Sequence, residues 1–409
     1  MKTILPPVKK EGRINYSKNG WFCLWSRTIG VVFMPPLNLL IKPASGSCNM
    51  CCRYCFYADE TEKRAVALMG RMSPETMHAI VDRALEYADG DCTFSFQGGE
   101  PSLAGLDFFR DLSDYVEEHP NPKGVRVHYS IQTNGYMLDE DWARWFAQYH
   151  VLVGVSLDGP KEIHDRYRKD RNGEGTFHRV MAFIRLLEKH GVEYNILTVV
   201  SAANARRAQQ VYSFFKKQGF RYQQYIECLD PLGEAQGGHD YSLTPERYEV
   251  FLKTMFDAWY QDMCAGRYVY NRYFENLMMI LTGQAPESCS LRGACAAQWV
   301  IEADGSVYPC DFYALDQWRL GNILEDSFAA MEEKRRASGF VEWSCRLPEE
   351  CRQCRWLALC RNGCRRNREP VTADSTGRNY FCRAYSNFLE YAYPRLMEIC
   401  RQLLRQAGR

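Results

Sequence analysis

The segment Leu37-Asn38-Leu39-Leu40-Ile41-Lys42-Pro43-Ala44-Ser45-Gly46-Ser47-Cys48-Asn49-Met50-Cys51-Cys52-Arg53-Tyr54-Cys55 decides how the rest of the chain is read. A short β-rich run, residues 37–41, leads into a loop that sets Cys48, Cys52 and Cys55 within eight residues. Three soft thiolates so spaced can wrap three corners of a cubane iron–sulfur cluster and leave its fourth iron open. Packed or zinc-binding cysteines are the other reading of the spacing alone. Cys51, beside Cys52, reads as a packing residue.

Outward from this loop the chain alternates β-rich runs with stretches of helical apolar spacing, as βα units around a parallel sheet do. Six strands are predicted, over residues 37–41, 92–96, 125–131, 151–157, 194–200 and 221–227. Ser73 is a predicted N-cap with Pro74 at the first helical position, and Met77, Ile80, Val81, Ala84 and Leu85 follow on one face. Similar periodicity recurs over residues 108–116, 142–147, 180–187 and 211–215. The expected fold class is α/β, a partial (β/α)6 barrel of the TIM type that need not close. Chemistry in such barrels gathers at the C-terminal strand ends, where the cysteine loop, Gln97-Gly98-Gly99-Glu100, Gln132 and Ser156 fall.

Past residue 262 the chain changes to spaced cysteines and Arg-rich loops, with a hairpin expected around Asp304-Gly305 and a final helix over residues 385–404. The expected organisation is an N-terminal extension over 1–33, a core barrel over 34–262 and a cysteine-rich domain over 263–409. With 409 residues and 46% hydrophobic content, the chain can bury one large core and a smaller one. Fifty-one basic against fifty acidic side chains leave no excess for nucleic acid. Residues 21–41 are apolar, but Arg27 interrupts them and Pro35-Pro36 breaks any helix, so a cytoplasmic protein with no membrane partner is expected.

Eighteen cysteines exceed what packing needs, and disulfide scaffolds are normally short secreted chains. Cys289, Cys295, Cys310, Cys351, Cys354, Cys360, Cys364 and Cys382 supply enough thiolates for two fully ligated four-iron clusters. No histidine follows His239, which excludes mixed Cys/His zinc sites there and leaves all-cysteine zinc as the alternative. Cys23, Cys92, Cys228, Cys264, Cys345 and Cys400 lack such spacing and are expected to be buried free thiols.

Together these segments resemble the anaerobic sulfatase-maturating enzymes, radical S-adenosylmethionine dehydrogenases with a C-terminal SPASM-type domain. The resemblance rests on Ile41-Lys42-Pro43-Ala44-Ser45, Phe96-Gln97-Gly98-Gly99-Glu100-Pro101, Ser156-Leu157-Asp158-Gly159-Pro160, Tyr308-Pro309-Cys310-Asp311-Phe312-Tyr313 and the run from Cys351 to Cys364. It implies three [4Fe-4S] clusters. Cys48, Cys52 and Cys55 would hold the radical cluster, Cys289, Cys295, Cys310 and Cys364 one auxiliary cluster, and Cys351, Cys354, Cys360 and Cys382 the other. Tyr54, Gly99, Ser156, Arg168 and Leu229 match contacts to S-adenosylmethionine, and Asp311 matches the catalytic base.

The implied reaction is oxidation of a Cys or Ser in a sulfatase polypeptide to formylglycine, with 5′-deoxyadenosine and methionine as co-products and a flavodoxin or ferredoxin as electron donor. By residue type alone, an Asp just after a hairpin is a solvated turn carboxylate, and the resemblance reverses that reading for Asp311. Tyr57 and Gln97 are weaker candidates for the substrate pocket. A maturase that crosslinks a ribosomally made peptide through thioether or carbon–carbon bonds is the nearest rival, and an iron–sulfur carrier or zinc-binding module is a second. Residues 1–33 precede the usual family start, and Met34-Pro35-Pro36-Leu37 reads like one.

Overall fold

Six parallel strands cross the sheet in the order in which the chain makes them. They are β1 (Leu37–Ile41), β2 (Asp91–Phe96), β3 (Arg126–Thr133), β4 (Leu152–Ser156), β5 (Tyr194–Val200) and β6 (Tyr222–Glu227). The structure is a computed structural model that describes residues 36–296, 298–369 and 377–406; the expected extension at 1–33, with Cys23, lies outside these. Period-two alternation buries Leu37, Leu39 and Ile41 of β1 and Cys92, Phe94 and Phe96 of β2 in one core. The parallel register sets Leu39 beside Phe94 and Phe94 beside Tyr129.

Strand ends differ from expectation by a residue or two where backbone groups are taken by other partners. Val125 lies outside β3 because its N–H donates to the Asn121 side chain, and Val151 lies outside β4 because its N–H bonds the Phe146 carbonyl of the preceding helix. The sheet also extends past the six. β7 (Tyr270–Asn271) pairs with β6, while β8 (Trp299–Ile301) pairs parallel to β1 and continues antiparallel through β9 (Ser306–Tyr308) and β10 (Gly321–Asn322). β7 and β10 are its two edges, so the arc stays open. The expected hairpin is β8–β9, turning at Gly305, whose φ of +82° suits glycine.

Helices fill the connections. Pro74–Tyr87 starts where Ser73 Oγ accepts the Thr76 N–H at 3.2 Å, and it buries Met77, Ile80, Val81, Ala84 and Leu85. Leu106–Glu118, Glu140–Gln148, Phe177–Lys189 and Ala208–Gln218 extend the other predicted runs at both ends. A long helix not foreseen above, Pro245–Cys264, packs along the C-terminal helix Cys382–Gln406, with Phe256 and Phe388 ring centroids 5.7 Å apart. Glu227, at the end of β6, accepts the Tyr248 and Tyr385 hydroxyls and so ties the sheet to both helices. Among the described residues no helix is long and apolar enough to cross a membrane.

Cys92, Cys228 and Cys400 are buried as expected. Cys264 is exposed instead, because it ends its helix, and Cys345 is half-buried with its thiol 3.5 Å from the Val341 carbonyl.

Candidate active site

Backbone hydrogen bonds seat the cysteine loop on the strand ends. The Cys51 N–H donates to the Lys169 carbonyl at 2.8 Å and the Arg53 N–H to the Tyr167 carbonyl at 3.2 Å. Arg171 donates to the Cys48 carbonyl from Nε at 2.9 Å and Nη2 at 2.5 Å. This pairing leaves the Cys51 side chain at the surface, against the expectation that it packs. From β2, the Gly99 N–H donates to the Ser45 carbonyl and the Glu100 N–H to the Ser47 carbonyl. A Cβ on Gly99 would stand 2.1 Å from the Ser47 oxygen, so only glycine lets these turns meet.

Glu100 carries that seat across to β3. Its buried carboxylate accepts from the Ser102 N–H, the Thr133 hydroxyl and the Asn134 N–H, while burial raises its pKa against those bonds. Asn134 Nδ2 then donates to Asn49 Oδ1 at 2.8 Å and to Cys48 Sγ at 3.6 Å. Burial pushes the Cys48 thiol up to about 12 and Cys52 higher still. Cys55 closes the loop, its N–H donating to the Cys52 carbonyl at 3.1 Å.

Tyr54 and Arg168 meet on a buried carboxylate, Asp158. Arg168 donates to it from Nε at 3.0 Å and Nη2 at 3.2 Å, the Tyr54 hydroxyl donates to Oδ2, and the Val199 N–H donates to Oδ1 at 3.1 Å. His164 backs this pair. Its Nδ1 accepts the Asp158 N–H, so Nε2–H donates to Thr176 Oγ1 at 3.0 Å, and that hydroxyl donates to the Arg168 carbonyl. Burial and the nearby Arg168 charge lower the His164 pKa to about 4, so it is neutral. Ser156 accepts from Gln132 Nε2 at 3.1 Å at the end of β4, and Leu229 is half-buried just past β6.

Asp311 opens a single 3-10 turn directly after β9 and is 8% exposed, not solvated. Its Oδ1 lies 2.5 Å from Lys42 Nζ, and its Oδ2 accepts from Gln97 Nε2 at 2.9 Å. Asp311 is thus held over the ends of β1 and β2, the strands from which the cysteine loop and the glycine turn depart. Around it the interior is polar. Tyr57 donates its hydroxyl to Glu302, Arg64 Nη1 sits 2.9 Å from the same carboxylate, and Glu60 is 2% exposed. Burial drives Glu60 well above the usual carboxylate range, with Lys42 the largest opposing influence.

The later cysteines fall into two groups. Cys310 has Cys295, Cys364 and Cys289 as electrostatic neighbours, and Cys364 has Cys289 and Cys295. Cys360 has Cys382, Cys351 and Cys354, and Cys351 has Cys382 and Cys354. Among the described residues no three His, Cys, Asp or Glu side chains converge as they do around a single ion.

Residues 43–214 match the model of the radical SAM superfamily, and residues 293–355 match that of the SPASM iron–sulfur cluster-binding domain. Over 370 residues the chain is 45% identical to a cysteine-type anaerobic sulfatase-maturating enzyme of Clostridium novyi, spanning 90% of this chain and 99% of that one. The chain belongs to the anaerobic sulfatase-maturating enzyme family. A serine-type member from Bacteroides thetaiotaomicron is 30% identical, with 91% of this chain and 94% of that one covered. The solved structure of native anSMEcpe with bound AdoMet and Cp18Cys peptide shares 46% identity and a TM-score of 0.85, covering 90% of this chain and all of that one.

The residues fit the cofactors of a sulfatase-maturating enzyme. Buried thiols that repel one another lose their protons only around a cationic centre, which iron supplies. Some residues that shape the site were not foreseen from sequence. Lys42 and Asp158 stand inside stretches that carry the family resemblance, but Glu60, Arg64, His164 and Glu302 have no local signal, since their partners come from other strands.

Proposed function

We propose that this chain oxidises a cysteine in a sulfatase active-site motif to Cα-formylglycine (3-oxoalanine), with Asp311 as the base. The observation that carries the reading is the seat of Asp311, buried between Lys42 and Gln97 and adjacent in sequence to Cys310. The proposed division of labour places the radical cluster on Cys48, Cys52 and Cys55 within 34–262. Two saturated clusters sit in 263–409, one on Cys289, Cys295, Cys310 and Cys364, the other on Cys351, Cys354, Cys360 and Cys382. When bound, S-adenosylmethionine and the three clusters supply a 5′-deoxyadenosyl radical for the substrate Cβ hydrogen and an acceptor for the remaining electron.

Asp311 takes the thiol proton, a role worth about 10²- to 10⁴-fold in rate. Loss of a hydrogen atom, a proton and an electron leaves a carbon–sulfur double bond, which water converts to the aldehyde with release of hydrogen sulfide. Gly99, Tyr54, Ser156, Arg168 and Leu229 are assigned to S-adenosylmethionine. The Asp158 carboxylate fixes Tyr54 and Arg168 as one rigid wall of that site. Identity to the cysteine-type relative exceeds that to the serine-type one, which supports cysteine as the preferred residue. A flavodoxin or ferredoxin is the proposed electron donor. The test is anaerobic incubation of reconstituted protein, S-adenosylmethionine and reductant with matched Cys and Ser sulfatase peptides, read by mass spectrometry. Aldehyde from the Cys peptide supports the reading, and 5′-deoxyadenosine without any aldehyde overturns it.

A further inference from the structure

Lys42 is wholly buried directly after β1, where backbone hydrogen bonds fix the chain on both sides of it. The Lys42 N–H donates to the Ile301 carbonyl at 2.8 Å, and its own carbonyl accepts the Ser45 N–H at 3.1 Å. The stem lies against the glycine turn from β2, where a Cβ on Gly98 would stand 3.2 Å from Lys42 Cβ and 3.3 Å from Cγ. The ammonium ends 2.5 Å from Asp311 Oδ1 and 3.4 Å above the centre of the Tyr57 ring. Glu60, whose two oxygens have no hydrogen-bond partner, is the second carboxylate that feels this charge.

A buried ion pair is a poor way to gain stability, because an apolar side chain of similar length fills the same space at least as well. What the pair does provide is direction. Asp311 has two free torsions and sits on a single 3-10 turn, so its carboxylate is not fixed by its own backbone. Gln97 fixes one oxygen by a hydrogen bond of 2.9 Å, and the Lys42 ammonium holds the other by charge at 2.5 Å.

We propose that Lys42 is a positioning residue that holds the Asp311 carboxylate in the orientation needed to take the substrate's thiol proton. The inference rests on Asp311 being the base. It predicts that loss of Lys42 uncouples the two halves of the reaction, leaving cleavage of S-adenosylmethionine and losing oxidation of the peptide.

The experiment compares reconstituted holoenzyme carrying Lys42→Met, Lys42→Arg or Asp311→Asn with the unaltered protein. Iron content, kcat and KM for a Cys sulfatase peptide, and the ratio of 5′-deoxyadenosine to aldehyde are measured. Lys42→Met is expected to keep its iron and a KM within about two-fold, while kcat for aldehyde falls about 100-fold and the ratio rises in step. Lys42→Arg, which restores a cation at a slightly different point, is expected to lie between the two. Aldehyde formation by Lys42→Met within about three-fold of normal, at an unchanged ratio, overturns the proposal. If Lys42→Met fails to take up iron, Lys42→Arg decides: an intermediate ratio supports the proposal and a normal ratio overturns it. Normal aldehyde from Asp311→Asn instead overturns the assignment of the base itself, which separates failure of that reading from failure of this one.

Discussion

Cys48, Cys52 and Cys55 come from one loop, whereas Cys289, Cys295, Cys310 and Cys364 come from three separated stretches of chain. The loop is held by its surroundings: backbone bonds to residues 167–169, the glycine turn from β2, and Asn134 beside the Cys48 thiol. The later cysteines sit on short helices and turns such as Glu349–Arg352 and Leu357–Cys360, around which buried Arg368 donates to the Asn362, Gly363 and Ser344 carbonyls. A site with three protein ligands keeps a place for a reactant, and its geometry must come from the protein. A site with four is closed, and what it binds also staples the chain.

The contrast can be broken most severely at the loop. Cys52→Ala is expected to abolish S-adenosylmethionine cleavage altogether while iron falls from about twelve to about eight atoms per chain, four per cubane. Cleavage that persists in this variant breaks the comparison. At the other region, Cys364→Ala is expected to leave 5′-deoxyadenosine formation within about three-fold but to lower aldehyde yield about 100-fold or more. Its melting temperature should also fall, since ligation there is folding energy. Equal melting temperatures for the Cys52 and Cys364 variants would remove the distinction between a loop the protein holds and a domain the iron holds.

Two smaller effects sharpen the account of how the loop's platform is built. Asp158→Asn leaves the buried Arg168 without its counter-charge, and denaturant unfolding should show a loss of about 3–5 kcal/mol, together with weaker S-adenosylmethionine binding. His164 has a folded pKa of about 4 against 6.5 for a free imidazole. Between those values the unfolded chain takes up a proton that the folded chain does not, so stability falls as pH drops through that window. His164→Gln should remove that part of the acid sensitivity, at most about 3 kcal/mol, as measured by denaturation at neutral and acid pH. An unchanged acid slope would show that His164 is not held neutral.

Much of the barrel was legible because parallel strands buried in a core write themselves as short β-rich runs, and all six lie within a residue or two of expectation. Two-residue strands such as β7 and β10 leave no such run. The helix Pro245–Cys264 was missed although Thr244 caps it, Pro245 stands at its first position and Tyr248, Phe251, Leu252 and Met255 are buried along it. The Cys48–Cys55 loop was legible from spacing because its three cysteines are neighbours in sequence. The division of the later cysteines came only through family resemblance, because spacing does not say which distant thiols meet. The polar interior around Asp311 was illegible for the same reason: Lys42, Gln97, Glu60 and Glu302 come from separate segments and meet only in the fold.

The most direct test of the central claim is mass spectrometry of a Cys sulfatase peptide after anaerobic incubation with Asp311→Asn beside the unaltered protein. The account predicts full iron content and continued 5′-deoxyadenosine release from the variant, with aldehyde reduced by about 10²- to 10⁴-fold. Aldehyde formed by the variant at the normal rate would contradict it.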